Sequence, residues 1–277
     1  MGHPLLIHHN MPELPEVETI ARGLAKRVTG DVIESVWLGE KKEPLKSPAH
    51  EIAATLERTR INAVRRMGKH IVFDLERKSK KAHWIVHLGM TGRLQVCEPQ
   101  DEVQKHTHAI LKLKSGRELR FVDPRRFGRL SVTKSTEFGG IEPLEIDVDQ
   151  FAGLFRGRKT PIKSALLNQK LLRGVGNIYA DESLFRTGVR PRRRAASLTR
   201  DQLAKLSAAV KEVLKEAIAL GGSSISDYVD ADGEEGFFQL QHRVYGREGE
   251  PCLVCKTPIK RIVIAGRSSH YCPRCQK

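Results

Sequence analysis

The chain ends in two pairs of cysteines, Cys252-Leu253-Val254-Cys255 and Cys272-Pro273-Arg274-Cys275, and the 16 residues 256–271 separate them. Two Cys-x-x-Cys pairs at this spacing allow four thiolates to converge tetrahedrally on one Zn²⁺ ion, which decides the fold of this part of the chain. The residues between the pairs are expected to form a β-hairpin, with Val263 to Ala265 on one strand. Because four protein ligands leave no position for water, the predicted zinc is structural and not catalytic.

The hairpin between the cysteine pairs carries three cations, Lys260, Arg261 and Arg267. Three positive charges on a rigid support suit a phosphate clamp, whereas scattered surface charge is the ordinary interpretation. The fifth cysteine, Cys97, stands alone in the sequence. This distribution is typical of metal binding in a reducing compartment, and Cys97 is interpreted as a small buried apolar residue.

The charge balance favours a polyanionic partner. Lys and Arg number 48 against 33 Asp and Glu, which gives a net charge of +15 over 277 residues. Nucleic acid is the first partner to consider. A membrane surface is set aside, because no window approaches the roughly 20 apolar residues of a membrane-spanning helix. Residues 1–10 lack the features of a secretory signal, so we expect a cytoplasmic protein.

A long helix is predicted upstream of the cysteines. Apolar residues recur at helical spacing from Thr199 to Leu220, and Thr199 and Gln202 fit a capping box. Gly221-Gly222 ends this helix, which we interpret as a core element without chemistry. The polar residues 223–238 that follow form a loop too long for a simple connection, and such loops are often functional. Its acidic residues do not complete the ligand pattern of a calcium site.

Another helix opens with a glycine turn, Gly174-Val175-Gly176-Asn177. Free backbone amides and the helix dipole make such a helix start a phosphate site, and Asn177 adds a side-chain donor. Helix-turn-helix geometry would follow from this arrangement. A glycine turn before a helix is weak evidence when it is taken alone.

The region from Asp31 to about Val132 has the pattern of short strands, because runs of β-branched and aromatic residues alternate with turn residues. These runs predict an antiparallel sandwich or barrel. Residues 133–149, which include Gly139-Gly140 and Pro143, are interpreted as a linker. The six predicted strands are Val32 to Trp37, Ile71 to Leu75, Trp84 to Leu88, Ala109 to Leu113, Leu119 to Val122 and Leu130 to Val132.

A second basic group, Asp123-Pro124-Arg125-Arg126-Phe127-Gly128, falls at a turn between two of these strands. Composition alone favours a solvated turn with one aromatic side chain in the core. The alternative is that Arg and Phe enter a base stack, where an apolar wedge offsets unstacking. Met90 leaves the same two possibilities open, a core residue or a wedge.

The first helix is predicted from Glu13 to Leu24, where apolar residues repeat at helical spacing. Pro15 and the acidic Glu16 and Glu18 are suited to a first helical turn.

The segment Met11-Pro12-Glu13-Leu14-Pro15-Glu16-Val17-Glu18-Thr19 resembles the amino terminus of the formamidopyrimidine-DNA glycosylases, the bacterial Fpg/endonuclease VIII family. The 123–128 segment, the 174–177 turn and the four cysteines occur in the same order as in that family, so the resemblance spans 11–277. It implies an α+β fold, in which an N-terminal antiparallel β-sandwich with an N-terminal helix precedes a helix-two-turn-helix domain and a zinc-bound β-hairpin. The domains expected from it are an extension at 1–11, a catalytic sandwich at 12–132, the linker at 133–149, the DNA-binding helical domain at 150–240 and the zinc finger at 241–277.

The resemblance also implies an activity. Such enzymes remove 8-oxoguanine and formamidopyrimidines from duplex DNA and nick the strand by β,δ-elimination through a Schiff base on the N-terminal proline. Here Pro12 would be the nucleophile, Glu13 the proton donor and Glu16 a second carboxylate of the site. Lys69 and Arg267 would be proton donors that also contact phosphates.

The DNA contacts implied by the resemblance come from several segments. Met90, Arg125 and Phe127 would fill the hole left in the duplex, with Arg125 facing the orphaned cytosine. Asn177, Lys163 and His106 would be further DNA contacts, and the loop 223–238 would close over the everted base. The partner is therefore lesion-bearing duplex DNA in a bacterial cytoplasm, and we expect a monomer that carries one structural zinc.

One departure from the family pattern matters. Residues 1–10 precede Met11-Pro12, and a proline inside a chain has an amide nitrogen that cannot form an iminium. We expect translation to begin at Met11, or the preceding residues to come from a misassigned start, with Met11 then removed to free Pro12.

Two other functions are weighed against this one. Endonuclease VIII has the same layout and prefers oxidised pyrimidines, but the 11–19 and 123–128 segments favour the purine enzyme. A non-catalytic zinc-ribbon DNA-binding protein would need only the basic charge and the cysteines, and it leaves Pro12, Glu13 and Lys69 unexplained.

Overall fold

A computed structural model describes residues 11–223 and 236–277 of the chain. The chain divides into a sheet unit, Met1–Glu137 with Gly221–Gly236, and a helical unit, Phe138–Leu220 with Phe237–Lys277. The predicted extension at residues 1–10, and residues 224–235 of the predicted lesion-recognition loop, lie outside the described residues. Within the described part, no helix combines the length and the apolar character that crossing a membrane requires.

The sheet unit is built on eight antiparallel strands in the order β5-β7-β6-β1-β2-β3-β4-β8. All six runs predicted from the sequence are strands, whereas β2, β5 and the short helix α2 were not predicted. The elements are α1 (Leu14–Val28), β1 (Val32–Leu38), α2 (Ala49–Leu56), β2 (Thr59–Met67), β3 (His70–Arg77), β4 (Lys80–His87), β5 (Arg93–Cys97), β6 (Thr107–Leu113), β7 (Glu118–Val122) and β8 (Arg129–Thr133).

Helix α1 supplies one wall of the core of the sheet unit. Its apolar side chains recur every three or four residues, so they form one face of the helix, and all except the partly buried Ala25 are nearly or fully buried. The helix contacts β2, β3 and also β5, which stands at the far end of the strand order. The sheet therefore curves around α1, and register shifts between β1 and β6, between β2 and β3, and between β6 and β7 allow it to bend.

The helical unit begins at Phe138, within the segment 133–149 that the sequence predicts as a linker. The predicted helix is confirmed, because α6 has Thr199 as its N-cap, a capping box with Gln202, and a C-cap at Leu220. The elements are α3 (Val148–Phe155), α4 (Ile162–Leu166), α5 (Asn177–Arg186), α6 (Arg200–Ala219), two single-turn 3₁₀ helices at Ala195–Ser197 and Phe238–Gln241, β9 (Lys260–Ile264) and β10 (Arg267–Tyr271).

A buried carboxylate joins α5 to the segment that leads into the cysteine pairs. Glu182 is fully buried and accepts hydrogen bonds from the backbone N–H groups of Arg243, Val244 and Tyr245, at 3.0, 3.0 and 2.8 Å. Burial raises the pKa of Glu182, although these three donors act in the opposite direction. The contact fixes the backbone of 243–245 against the helix.

The packing of α1 predicts the effect of a cavity. Leu24 is fully buried among the sheet side chains, so Leu24→Ala removes a packed side chain and leaves a void. We expect the free energy of unfolding to fall by about 2–5 kcal/mol, measured by urea denaturation. Lys26→Ala, an exposed change on the same helix, is the control and should stay within about 0.5 kcal/mol of the parent. A Leu24→Ala variant as stable as this control would contradict the packing.

Candidate active site and metal centre

The candidate catalytic carboxylates lie at the start of α1. Glu13 is the N-cap residue, its backbone is extended, and it directly follows the half-buried Pro12. Its backbone N–H donates to Oε2 of Glu16 at 2.9 Å, so the two acidic residues are held together. Both are only 3 % exposed. The sequence therefore places two buried carboxylates next to the predicted nucleophile.

Glu16 also holds the segment that follows α6. Its Oε1 accepts a hydrogen bond from the backbone N–H of Ser223 at 2.8 Å. Gly222 has φ of +85°, and a Cβ atom there would lie 2.9 Å from Glu16 Oε1. Gly222 is thus required both by its backbone conformation and by the approach of this carboxylate. Residues 221–223 are in consequence tied to the start of α1.

Lys69 lies in the two-residue turn that joins β2 to β3, where Met67 pairs with His70. Gly68 in this turn has φ of +60°, which favours glycine. The Lys69 side chain is 7 % exposed, although it stands at a strand end. A buried lysine at a fixed hairpin is suited to making one directed contact with an anion.

The predicted wedge residues occupy two turns that touch. A Cβ atom on Gly89, whose φ is +68°, would lie 2.5 Å from the backbone nitrogen of Gly128. The Met90 turn therefore packs directly on the 125–128 turn, and this approach is possible only because residue 89 has no side chain. The turns that carry Met90, Arg125 and Phe127 are therefore in contact, and the role of these three side chains at the DNA stays a prediction.

Asp123 connects these two turns, and the sequence reasoning did not assign it a role. The fully buried carboxylate accepts from the Thr91 hydroxyl at 2.5 Å through Oδ1 and from the Gly128 N–H at 2.7 Å through Oδ2. Thr91 Oγ1 in turn accepts from the Arg125 N–H at 3.2 Å. The only signal in the sequence was an acidic residue before a proline at a turn, which has many other uses.

The exposed ends of these turns are aromatic and cationic. The Arg125 guanidinium lies 4.9 Å from the centroid of the Phe127 ring, and Phe127 is 48 % exposed. A large apolar ring left in water beside a cation is unusual for a turn and is typical of a binding surface. This exposure decides against the core interpretation of Phe127.

Two histidines lie close to these turns. His106 is exposed with φ of +73°, and its carbonyl accepts a hydrogen bond from the Asp123 N–H at 3.0 Å. His87 Nδ1 accepts from the Gly89 N–H at 3.2 Å. Burial, with the nearby His70 and Lys69 charges, lowers the pKa of His87 to about 4, so this ring is neutral near pH 7 and can accept that bond.

In the helical unit, the glycine turn opens α5 as expected. Gly174 has φ of +93°, and Gly176 is the N-cap with no side chain to cap the first amides. Asn177 Nδ2 lies 3.3 Å from the hydroxyl oxygen of Ser268, which is next to Arg267 in β10. The helix start and the hairpin arginine are therefore neighbours in this unit.

Lys163 occupies a different kind of environment. Its side chain is buried, and Nζ lies 2.7 Å from Oδ1 of Asp181 and donates to the carbonyl of Ser268 at 2.6 Å. The Asp181 carboxylate also accepts from the His270 N–H at 2.8 Å. Its predicted role as a DNA contact stays a prediction, and in this structure its ammonium group holds β10 in place.

Arg267 lies at the first position of β10, directly after the turn Ala265-Gly266, and it pairs with Ile264 across the hairpin. Both turn residues have positive φ, 47° and 74°. The side chain of Arg267 is exposed. A cation at the end of a fixed hairpin can contact a phosphate without the entropic cost of ordering a flexible loop.

The four cysteines converge as the sequence predicts. Their sulfur atoms all lie within 4.8 Å of one another, with Cys252 and Cys275 at 3.9 Å and Cys255 and Cys272 at 3.4 Å. These separations exclude disulfides, whose S–S bonds are about 2.05 Å long. In a tetrahedral zinc site with Zn–S bonds of about 2.3 Å, two thiolate sulfur atoms are roughly 3.8 Å apart, and the two measured separations lie on either side of this distance. The four thiolates fit one structural zinc.

Removal of one acceptor should loosen the two turns that Asp123 joins. Asp123→Ala leaves the Gly128 N–H and the Thr91 hydroxyl without their partner, so we expect the free energy of unfolding to fall by about 2–4 kcal/mol. Asp123→Asn keeps one acceptor, so its free energy of unfolding should fall by about half as much. Urea denaturation and amide exchange at Gly128 measure both effects, and an alanine variant as stable as the parent would contradict this role.

Loss of one thiolate should release the metal. We expect about one zinc per chain in the parent and less than about 0.1 in Cys255→Ser, measured by elemental analysis, because structural zinc needs its four ligands. Cys97→Ser is the matched control, since Cys97 lies in β5 of the sheet unit and should leave zinc content unchanged. Full zinc retention in Cys255→Ser would contradict the site.

Comparisons with known proteins cover nearly the whole chain. Family models match the formamidopyrimidine-DNA glycosylase N-terminal domain at residues 11–130, the H2TH domain of the same enzymes at 140–229, and the zinc finger found in FPG and IleRS at 249–277. The formamidopyrimidine-DNA glycosylase of Solibacter usitatus (strain Ellin6076) is 48% identical over 273 residues, which are 96% of this chain and 100% of that protein. That of Gluconobacter oxydans (strain 621H) is 44% identical over 283 residues, with 96% and 100% covered.

Solved structures agree with these relatives. The MutM (Fpg) protein of Thermus thermophilus has a TM-score of 0.85 and 42% identity, and the match covers 96% of this chain and 98% of that one. The Lactococcus lactis Fpg in complex with abasic-site DNA has a TM-score of 0.86 and 32% identity, with 96% and 99% covered. The fold predicted from the resemblance is confirmed, and the chain belongs to the formamidopyrimidine-DNA glycosylase family.

Proposed function

We propose that this protein is a base excision repair enzyme that removes oxidised purines from duplex DNA and then cleaves the strand at the resulting abasic site. The observation that carries the proposal is the start of α1, where the buried carboxylates of Glu13 and Glu16 are joined next to Pro12. The Lactococcus lactis Fpg, a relative by structure, has been solved with DNA that contains Fapy-dG and with abasic-site DNA.

The chemistry begins at the Pro12 nitrogen. An N-terminal amine has a pKa of about 8, so a useful fraction is neutral near pH 7 and can act as a nucleophile. It forms a bond to C1′ of the damaged nucleotide while the glycosidic bond breaks, and the base leaves with a proton. Glu13 donates a proton to the ring oxygen as the sugar opens, which leaves an iminium between Pro12 and C1′.

The iminium then acts as the electron sink for strand cleavage. Loss of a C2′ proton sends its electron pair toward the iminium and expels the 3′ phosphate, and a second elimination expels the 5′ phosphate. Release of the remaining sugar fragment by water restores the Pro12 amine. A one-nucleotide gap is left in the strand.

This mechanism requires a chain that begins at Pro12. The nitrogen of an internal proline is an amide without a free electron pair for bond formation. The family match begins at residue 11, and the relatives are covered over their full length by 96% of this chain. Both observations support a start at Met11, and the mechanism additionally requires removal of that residue.

The DNA contacts of the sheet unit come from three places. Met90, Arg125 and Phe127 fill the space of the everted nucleotide, with Arg125 donating to the orphaned cytosine. Lys69 contacts a phosphate beside the lesion from its fixed hairpin, and it or Glu13 supplies the protons that the reaction consumes. His106, which is exposed and bonded to the Asp123 backbone, adds a contact to the DNA backbone.

The DNA contacts of the helical unit are directed at phosphates. The N-terminus of α5, where Gly176 is the N-cap, is proposed to bind phosphate together with the Asn177 side chain, as helix N-termini do. Arg267 binds phosphate from the end of its hairpin and Lys163 holds the backbone of Ser268 beside it. The zinc supplies no chemistry to the reaction and stabilises the hairpin.

We propose that the enzyme acts as a monomer. The place of action follows from the substrate, and we assign it to the nucleoid of a bacterial cytoplasm. The Lactococcus lactis Fpg has also been solved with DNA that contains an oxidised pyrimidine, so such lesions are a second substrate class to test.

The decisive test is borohydride trapping on a duplex with 8-oxoguanine opposite cytosine. Chains that begin at Pro12 and at Met1 are compared at equal concentration, because the residues before Pro12 in the longer chain convert the proline nitrogen into an amide. We expect one covalent adduct per chain and a nicked strand from the Pro12 chain, and neither from the Met1 chain. Intact mass of the adduct identifies the modified residue.

The other outcomes decide against the proposal. DNA binding without an adduct or nick from either chain would favour a non-catalytic zinc-ribbon protein. Adducts from both chains would place the nucleophile elsewhere. A thymine glycol duplex is run in parallel, and faster cleavage of it than of the 8-oxoguanine duplex would favour the endonuclease VIII alternative.

A further inference from the structure

A surface cavity of about 580 Å³ lies at one end of the sheet unit and has no part in the mechanism above. Its wall is formed by the first residues of β1 and β2 and by the hairpin that joins β3 to β4. The lining residues are Val32, Arg58, Arg60, Glu76, Arg77, Lys78 and Lys80. Five of these seven residues are cations and one is a carboxylate.

Two of the charged residues already have partners. Arg77 donates to the backbone carbonyls of Glu57 and Ala54, at 2.9 and 3.3 Å. Glu76 accepts from the side-chain amide of Asn62 at 2.7 Å.

The other four cations, Arg58, Arg60, Lys78 and Lys80, are exposed and surround the opening. Among the residues that the structure describes, none of their side chains is engaged in an ion pair or hydrogen bond. The cations that line the cavity outnumber its single carboxylate, Glu76, so the cavity is suited to a negatively charged ligand.

The backbone at the rim is also unusual. Lys78 and Ser79 form the two-residue turn between β3 and β4 with φ of 49° and 64°, and Arg58 has φ of 59°. A turn with two positive φ values strongly favours Asn-Gly. A lysine in this position is unfavourable for the turn itself, but it directs an additional cation to the rim of the cavity.

The cavity is separate from the Lys69 hairpin. Arg60 pairs with Glu76 at one end of β2 and β3, whereas Met67 pairs with His70 at the other end. Seven residues of extended strand separate the two positions, which corresponds to about 20 Å. A ligand in the cavity would therefore not occupy the position of the lesion beside Lys69.

We infer that this cavity is a second anion site that binds two or three consecutive phosphate groups. Its volume lies within the range of small-ligand sites, and its cations offer the charge-assisted hydrogen bonds that phosphates prefer. The phosphates can belong to a free oligophosphate, such as a nucleoside triphosphate, or to the backbone of a second nucleic-acid segment.

The test uses the full chain saturated with a duplex that contains a tetrahydrofuran abasic analogue, so that the lesion site is occupied. Inorganic tripolyphosphate and a lesion-free hexathymidylate are titrated separately by calorimetry. The variant is Arg60→Gln with Lys80→Gln. The control is Lys205→Gln with Lys215→Gln, which makes the same change in net charge on exposed positions of α6.

We expect about one equivalent of probe to bind to the parent chain. Compared with the parent, the Arg60/Lys80 variant should bind the probe at least tenfold more weakly, and the control should bind it less than twofold more weakly. Cleavage of the 8-oxoguanine duplex should be unchanged in both variants. Tighter binding of tripolyphosphate would identify an oligophosphate site, and tighter binding of hexathymidylate would identify a nucleic-acid backbone site. No binding to the parent chain, or equal weakening in both variants, would overturn the inference. If the duplex does not bind, the same titrations are made on the free chain. Binding of the probe to the cavity is then tested even when the proposed function is wrong.

Discussion

Buried carboxylates that accept backbone N–H groups fix the segments on which the candidate site depends. A carboxylate in a protein interior is costly unless donors surround it, so its position and that of the donors become one structural unit. Glu16 fixes the segment after α6, and Asp123 fixes the Met90 turn and the 125–128 turn. Glu182 fixes residues 243–245, which precede the cysteine pairs. Each of these segments lacks regular secondary structure of its own. The carboxylates supply the order that a helix or strand would otherwise provide.

Close backbone approach is the second constraint, and it acts at the same places. Gly89 allows the Met90 turn to touch the 125–128 turn, and Gly222 makes room for the Glu16 carboxylate. A side chain at either position would separate groups that the hydrogen bonds hold together. The exposed Phe127 and Arg125 are thus presented on a tightly packed base. Such preorganisation would lower the entropic cost of the proposed insertion of these side chains into a base stack.

The parts that the sequence predicts are those determined by local patterns. Such patterns depend on residues that are near one another in the sequence, as in the cysteine spacing, the α6 capping box and the six strand runs. The family resemblance supplied the layout of the rest. Strand β2 was missed because its cations mask the alternation, and their partners are distant: Arg65 pairs with Asp74 and Arg66 with Glu18. Asp123 was missed for the same reason, since its acceptor role exists only once Thr91 and Gly128 are brought beside it. No pattern within one segment can show a contact of this kind.

The zinc hairpin shows how the two kinds of information combine. Cysteine spacing predicts the hairpin and its exposed arginine, but a hairpin held only at its metal end would still be free to tilt. The structure adds a second anchor, because Lys163 is paired with Asp181 and donates to the carbonyl of Ser268, while Asp181 accepts from His270. Four thiolates and one buried ion pair therefore hold the strand that carries Arg267 at both ends. Since removal of one member of a buried ion pair leaves an uncompensated charge, the position of Arg267 depends on Asp181 as well as on the four cysteines.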